Sequence, residues 1–271
     1  MSWIDTFLAT GLWFVFGACI GSFLNVVVYR TERGENWVGG RSHCDECNKP
    51  VAWFDNIPLL SYVMLRGRCR HCKKNISMAH PVVEALFGFL FMWWWILGSF
   101  AFRLTEEPFI YIQPLFWLIV GGILIFIFVE DLLTMYIPLW SVYSLTALAF
   151  LYRLALVNWD IMRPNDFWMT ISAALFATGF FLAINVFTKG RGMGLGDVYL
   201  ALPLALLVGS GRTVIWVFLS FLIGSAVGLV LLSMKKAQFG RKLPFGPFMI
   251  TAAIVALLWG DQLWSWYLGL L

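Results

Sequence analysis

Two aspartates and four cysteines are the residues best placed to do chemistry in this 271-residue sequence. Asp197 closes the run Gly192-Met193-Gly194-Leu195-Gly196-Asp197 at the edge of an apolar stretch, and Asp131 follows the apolar run from Phe116 to Val129. A lone charge in hydrocarbon costs several kcal/mol or more, so an ionisable group at membrane depth is a functional-site candidate by default. Two carboxylates held a few Å apart share a proton. The ionised partner can then activate water while the protonated one polarises a scissile carbonyl. These are the parts of aspartic-protease chemistry, and they work only if the two helices are neighbours.

The cysteines read Cys44-Asp45-Glu46-Cys47 and Cys69-Arg70-His71-Cys72. Two CxxC pairs about 20 residues apart suit a tetrahedral zinc, because each turn offers two thiolates about one ion's width apart. A pair of disulfides or four reduced thiols are the alternatives, and a cytoplasmic location argues against stable disulfides. His43 and His71 could substitute as ligands, although four thiolates complete the shell.

The elements that must position these residues are set by the membrane. The chain is 61% hydrophobic and 13% charged, with a mean hydropathy of +0.80, against about 25% charged residues in soluble domains. Apolar segments of spanning length, about 20 residues, fall at 5–29, 82–102, 110–130, 137–157, 167–187, 213–233 and 247–268. A shorter one lies at 198–210. The predicted fold is therefore an all-α polytopic membrane protein of about eight transmembrane helices, with a small zinc-ribbon-like insert between helices 1 and 2.

Alternation of these helices puts the connections 30–81, 131–136, 188–197 and 234–246 on one side, with 15 Lys and Arg. The other side holds Arg103, Arg153, Arg163 and Arg212. The positive-inside rule places the 30–81 segment in the cytoplasm and both termini outside. The first segment lacks a basic start and has Arg30 and Arg33 after it, which predicts a retained anchor rather than a cleaved signal peptide. The net charge of +4 follows from this topology, with the basic clusters facing anionic membrane lipid rather than nucleic acid.

Three divisions follow: a first transmembrane helix at 1–29, a tetracysteine domain at 30–81 and a transmembrane core at 82–271. An insert of about 50 residues has too small a core to fold unaided, and metal binding supplies the missing free energy. Zinc is thus expected to be structural, and Cys19, in the first span, to be a small packing residue.

Gly192, Gly194 and Gly196 are expected to permit backbone conformations closed to other residues and a close approach of substrate or helix. Irregular backbone at membrane depth survives only where it lines a cavity or is buried, so a bent approach to a short helix should present Asp197 to a water-filled cleft. The competing reading is an exposed turn with an aspartate at a helix start, where Asp is favoured anyway. Glu130 points about 100° from Asp131 on a helix and reads as a headgroup-level or auxiliary charge. Glu84 either complements a helix N-terminus or contacts substrate or cofactor. Asn25 could bond across helices, and Gly17/Gly21 and Gly224/Gly228 have the spacing of close helix packing. Trp93, Trp94 and Trp95 cannot share one helix face and are expected at an outer interface belt or in lipid contact.

A family resemblance rests on several of these motifs together. Cys44-Asp45-Glu46-Cys47, Asn56-Ile57-Pro58-Leu59-Leu60-Ser61-Tyr62, Leu65-Arg66-Gly67-Arg68-Cys69, Ile76-Ser77 and Pro81-Val82-Val83-Glu84 resemble the cytoplasmic domain of bacterial prepilin peptidases. The stretch from Gly21 to Arg30 is similar to the end of that family's first helix. Asp131-Leu132, Ile137-Pro138, Gly194-Leu195-Gly196-Asp197 and Pro244-Phe245-Gly246-Pro247-Phe248 complete the set, which runs from residue 17 to about 250. Two positions depart from the family pattern. Tyr199 stands where Lys is usual after the second aspartate, and Leu139 where Asp often follows the Ile-Pro.

The resemblance implies an intramembrane aspartic endopeptidase of the GxGD kind in the bacterial inner membrane, with Asp131 and Asp197 catalytic and Gly194 and Gly196 supporting the motif. It would remove the leader of type IV prepilins or of type II secretion pseudopilins at the cytoplasmic face. It would also N-methylate the new N-terminal residue with S-adenosylmethionine, with zinc on Cys44, Cys47, Cys69 and Cys72. No glycine-rich nucleotide fingerprint occurs, so the sequence names no residues for the methyl donor. Another GxGD-type intramembrane protease, or a non-enzymatic transporter or scaffold whose aspartates bind a cation, are the alternatives. The sequence leaves the oligomeric state open.

Overall fold

The computed structural model describes residues 3–32, 36, 39–40, 42–44, 46–98, 107–234 and 243–269. Arg33, Asp45, Arg103 and the basic residues of the last connection lie outside the described residues. The chain divides into two compact units, Met1–Ile125 and Phe126–Leu271.

Helix α1 (Trp3–Glu32) opens the first unit. The insert after it holds a 3-10 turn (Trp53–Asn56) and the short α2 (Leu60–Met64). Then come α3 (Ala79–Trp93), a π-helical segment (Trp94–Gly98) and α4 (Phe109–Thr134), which runs on into the second unit. Small residues let α1 and α3 touch backbone to backbone. A Cβ on Gly21 would lie 3.0 Å from Glu84 Cα, and one on Gly17 would collide with the Phe87 carbonyl oxygen. The tryptophan run is only half-buried but is not simply a lipid-facing belt. Trp94 and Trp95 pack on Trp13 at 5.2 and 5.6 Å between ring centroids, and Trp94 Nε1 donates to the Pro114 carbonyl at 2.7 Å. Cys19 is exposed on α1, which corrects the expectation that it packs.

The second unit contains α5 (Leu139–Asn158), α6 (Pro164–Phe187), α7 (Leu195–Val208), α8 (Ser210–Ser233) and α9 (Gly246–Leu268). Among the described residues, seven helices are long and apolar enough to cross a membrane, and α7 is the shorter apolar helix. The chain is thus a multi-pass membrane protein, all-helical apart from two isolated β-bridges among the described residues.

At 14 residues, α7 is about 21 Å long, well short of a hydrocarbon core of about 30 Å. It is instead the centre of its unit, packed by α5, α6, α8 and α9. Leu200, Ala201, Leu204 and Ala205 are fully buried. Its C-terminal carbonyls would end unsatisfied in an apolar setting. Arg153 of α5 meets them, Nε donating to Leu206 O at 2.9 Å and Nη2 to Leu207 O at 3.0 Å. The turn into α8 passes through Gly209 at φ +88°, where a Cβ would also sit 3.0 Å from that guanidinium. Phe248 of α9 lies 3.1 Å from where a Cβ on Gly224 would stand, so this glycine also serves close helix packing.

Candidate active site

The second unit brings Asp131 and Asp197 together. Asp131 sits one turn before the end of α4, and Asp197 is the third residue of α7. Both are buried, and the Asp131 charge acts on Asp197. One backbone amide holds each carboxylate. Gly246, the first residue of α9, donates to Asp131 Oδ2 at 2.9 Å, and Gly194, the N-cap of α7, donates to Asp197 Oδ2 at 3.2 Å. Ile137 is wedged between the two amide-bearing segments. Its side chain lies 3.3 Å from where a Cβ would stand on Gly196 and equally on Gly246.

The glycines of the aspartate motif serve space rather than unusual backbone, contrary to the expectation from sequence. Gly192, Gly194 and Gly196 are not among the glycines with positive φ; the left-handed residues of this turn are Lys189 and Gly190. A Cβ on Gly192 would press on Thr188 Cγ2 at 2.9 Å, and one on Gly196 would crowd Ile137. Thr188 Oγ1 accepts the Gly192 amide at 3.1 Å and Asn185 Nδ2 donates to Met193 O at 2.7 Å, which ties the turn to the end of α6. Glu130 is buried in the protein, while Tyr199 and Leu139 are exposed. The two departures from the family pattern thus face outward.

The first unit holds the thiols. The sulfurs of Cys44, Cys47, Cys69 and Cys72 all lie within 4.8 Å of one another, and Cys44 and Cys72 are 3.8 Å apart. Thiolates around a tetrahedral zinc stand about 3.8 Å apart, given Zn–S of about 2.3 Å. All four cysteines are free. The cluster is built from one motif used twice, 25 residues apart. Cys44 N donates to Lys49 O and Asn48 N to Cys44 O; Cys69 N donates to Lys74 O and Lys73 N to Cys69 O. Asn48 and Lys73 are both left-handed, at φ 51° and 61°, and the bridges His43–Pro50 and Arg68–Asn75 close the two loops. The amides of Cys72 and His71 lower the Cys69 thiol to about 7. The Lys74 amide also lowers Cys72, but desolvation and the neighbouring sulfurs outweigh it and push that thiol up to about 11.

A cavity of about 260 Å³ lies between the thiol cluster and the facing ends of α1 and α3. Asn25, Tyr29, Tyr62 and Glu84 are among its lining residues. Glu84 lies beyond the first turn of α3, so it does not complement that helix's N-terminus. Its Oε2 accepts the Leu59 amide at 2.7 Å and holds a non-glycine residue at φ 60°. Asn25 does bond across helices, Nδ2 donating to His80 O at 3.2 Å. The partners of Gly246, Asn185 and Arg153 were not legible in the sequence; Pro247 beside Gly246 signalled a helix start but not which carboxylate it meets.

Fold and site together define a polytopic membrane protein with a buried carboxylate pair in one unit and a tetrathiol cluster in the other. Residues 15–97 match the Bacterial Peptidase A24 N-terminal domain, and residues 118–229 match the Type IV leader peptidase family. A prepilin leader peptidase/N-methyltransferase of Aeromonas hydrophila is 31% identical over 94% of this chain and 92% of its own. One of Legionella pneumophila is 31% identical over 97% of this chain and 94% of its own. Another, from Myxococcus xanthus, is 51% identical over 78 residues, 29% of this chain and 23% of its own. No solved structure gives a significant match. The chain belongs to the type IV leader peptidase family.

Proposed function

We propose that the chain is an intramembrane aspartic endopeptidase that removes the leader of type IV prepilins or type II secretion pseudopilins and N-methylates the residue it exposes. The observation that carries the peptidase half is the buried pair Asp131 and Asp197, each oriented by one backbone amide. With one proton between them, one carboxylate takes the proton of an attacking water while the other donates to the carbonyl oxygen of the scissile bond. As the tetrahedral intermediate collapses, the proton taken from water passes to the leaving amine, the hydroxyl formed from the carbonyl oxygen returns its proton to the other carboxylate as the new carboxyl group forms, and the pair again holds one proton. The amides of Gly246 and Gly194 keep both carboxyl groups in fixed orientations through these transfers, which limits reorganisation at each step.

The divisions are a first helix at 1–29, a cytoplasmic tetracysteine domain at 30–81 and a peptidase core at 82–271, in a bacterial inner membrane. The positive-inside count supports this orientation. Four free thiols with mutual distances suited to zinc support a structural metal on Cys44, Cys47, Cys69 and Cys72.

The methyl donor S-adenosylmethionine fits the chemistry of the first unit's cavity. Glu84 offers a buried carboxylate for a cationic group, Tyr29 and Tyr62 offer aromatic faces, and Asn25 is a polar neighbour. When bound, the donor supplies an electrophilic methyl group for a neutral amine. Glu84 balances positive charge at that place, and the aromatic faces keep water off it.

Mass spectrometry of a prepilin incubated with the purified chain and S-adenosylmethionine tests both halves. The expected product is cut just cytoplasmic to the hydrophobic segment and carries one added methyl. A cut within the span would favour another intramembrane protease. No product at all, with stabilisation by a cation, would favour a transporter or scaffold.

A further inference from the structure

The two amides that hold the carboxylates differ in how their own peptide groups are secured. The Gly246 amide belongs to the Phe245–Gly246 peptide, whose carbonyl lies at the start of α9 and accepts from Phe248 N at 3.0 Å and Met249 N at 3.1 Å. The helix itself fixes that peptide. The Gly194 amide belongs to the Met193–Gly194 peptide, whose carbonyl precedes α7 and has no place in its ladder. Met193 is buried at 5% exposure, so this carbonyl needs a partner from the protein. Asn185 Nδ2 supplies it at 2.7 Å. A carbonyl can only accept, so Asn185 must present its amide nitrogen there.

We infer that Asn185 is a positioning residue for Asp197, acting through a single peptide plane. The chain of donors runs from Asn185 Nδ2 to Met193 O, across the Met193–Gly194 peptide, and from Gly194 N to Asp197 Oδ2. Hydrogen bonding at the carbonyl polarises the peptide and strengthens its N–H as a donor. It also stops the plane from rotating, so the N–H stays aimed at the carboxylate. Asn185 is anchored in the last turn of α6, and its own carbonyl accepts the Gly190 amide at 2.8 Å. One residue therefore secures both ends of the turn that leads to Asp197. It does not touch substrate, and the inference rests on the peptidase reading of Asp197.

The test compares full-length wild type, Asn185→Leu and Asn185→Asp in prepilin cleavage, with detergent size exclusion and zinc content as checks of folding. Asn185→Leu is expected to lower kcat about tenfold or more while KM stays within about twofold, because only orientation of the reacting carboxylate is lost. Asn185→Asp carries a pH signature. Its carboxyl can donate to Met193 O only while protonated, and an ordinary Asp carboxyl takes up its proton near pH 4, so its rate relative to wild type should climb severalfold from about pH 7 to about pH 4. The Leu variant's relative rate should stay flat over that range. Wild-type kcat in a folded Leu variant, or a flat relative rate for the Asp variant, would overturn the inference. If wild type itself fails to cleave, the peptidase reading fails instead. If the Leu variant does not fold, the Asp variant's pH response decides alone.

Discussion

Gly246 and Asp131 are 115 positions apart in sequence and are joined by one hydrogen bond, from the glycine amide to Asp131 Oδ2 at 2.9 Å. A Cβ on Gly246 would sit 2.6 Å from that same oxygen, so the contact that orients the carboxylate also excludes a side chain. The first residue of α9 thus acts as part of the site.

Substituting Gly246→Ala separates activity from stability. Alanine is the better helix former, by about 1 kcal/mol in a helix interior, so helix propensity alone would not destabilise the protein. The Asp131 carboxyl must move, however, and kcat for leader removal should fall about tenfold or more. Initial rates and a thermal melt of the same preparation check this. Full activity would show that the amide contact is dispensable.

Glu84 lies in the unit that carries the thiols, away in sequence from both aspartates. Glu84→Gln keeps an acceptor for the Leu59 amide but removes the charge facing the cavity, whereas Glu84→Ala loses both. The Gln variant should cleave prepilin as wild type does and lose most methylation. Mass spectrometry of the mature N-terminus reads both outcomes together, and undiminished methylation would remove Glu84 from the donor site.

Metal content should follow pH with a definite sign. Zinc binds thiolates, so protons compete with it. In the metal-free cluster Cys69 titrates at about 7 and Cys72 at about 11, so thiolate is present first at Cys69 and is lost as pH falls through neutrality. Elemental analysis should find about one zinc per chain near pH 8 and progressive loss towards about pH 5. Content well below one per chain in protein purified without chelators would contradict the metal site.

Arg153 closes the far end of the short helix. Arg153→Met keeps much of the packing but leaves the carbonyls of Leu206 and Leu207 without their donor, and should cost about 2 kcal/mol or more. Arg153→Lys retains one donor group and should fall between. Unfolding in detergent measures both, and equal stability of all three proteins would show that these carbonyls find other partners.

The spans were legible because each is a long apolar run, whereas the run at 198–210 reads from sequence as a brief or tilted eighth transmembrane helix, and the structure makes it the 14-residue α7 at the centre of its unit. Its start was read late, at 198 instead of Leu195, because Gly196 and Asp197 interrupt the apolar pattern while Gly194 caps the helix. The two aspartates and four cysteines carried their own signals, a charge in an apolar setting and paired thiols. The amide donors did not. Gly246 reaches Asp131 only through the tertiary arrangement of α4 and α9, and Asn185 looks like any polar residue near a helix end. The bond from the Leu59 amide to Glu84 was not legible, because Leu59 lies in an insert whose path no helical periodicity describes.

The central claim is that Asp131 and Asp197 act as one catalytic pair. Purified wild type, Asp131→Asn and Asp197→Asn incubated with prepilin in parallel test it most directly. Asparagine preserves shape while removing the ability to exchange a proton, so both variants should stay folded, keep their zinc and show no leader removal. Prepilin cleavage retained by either folded variant would contradict the account.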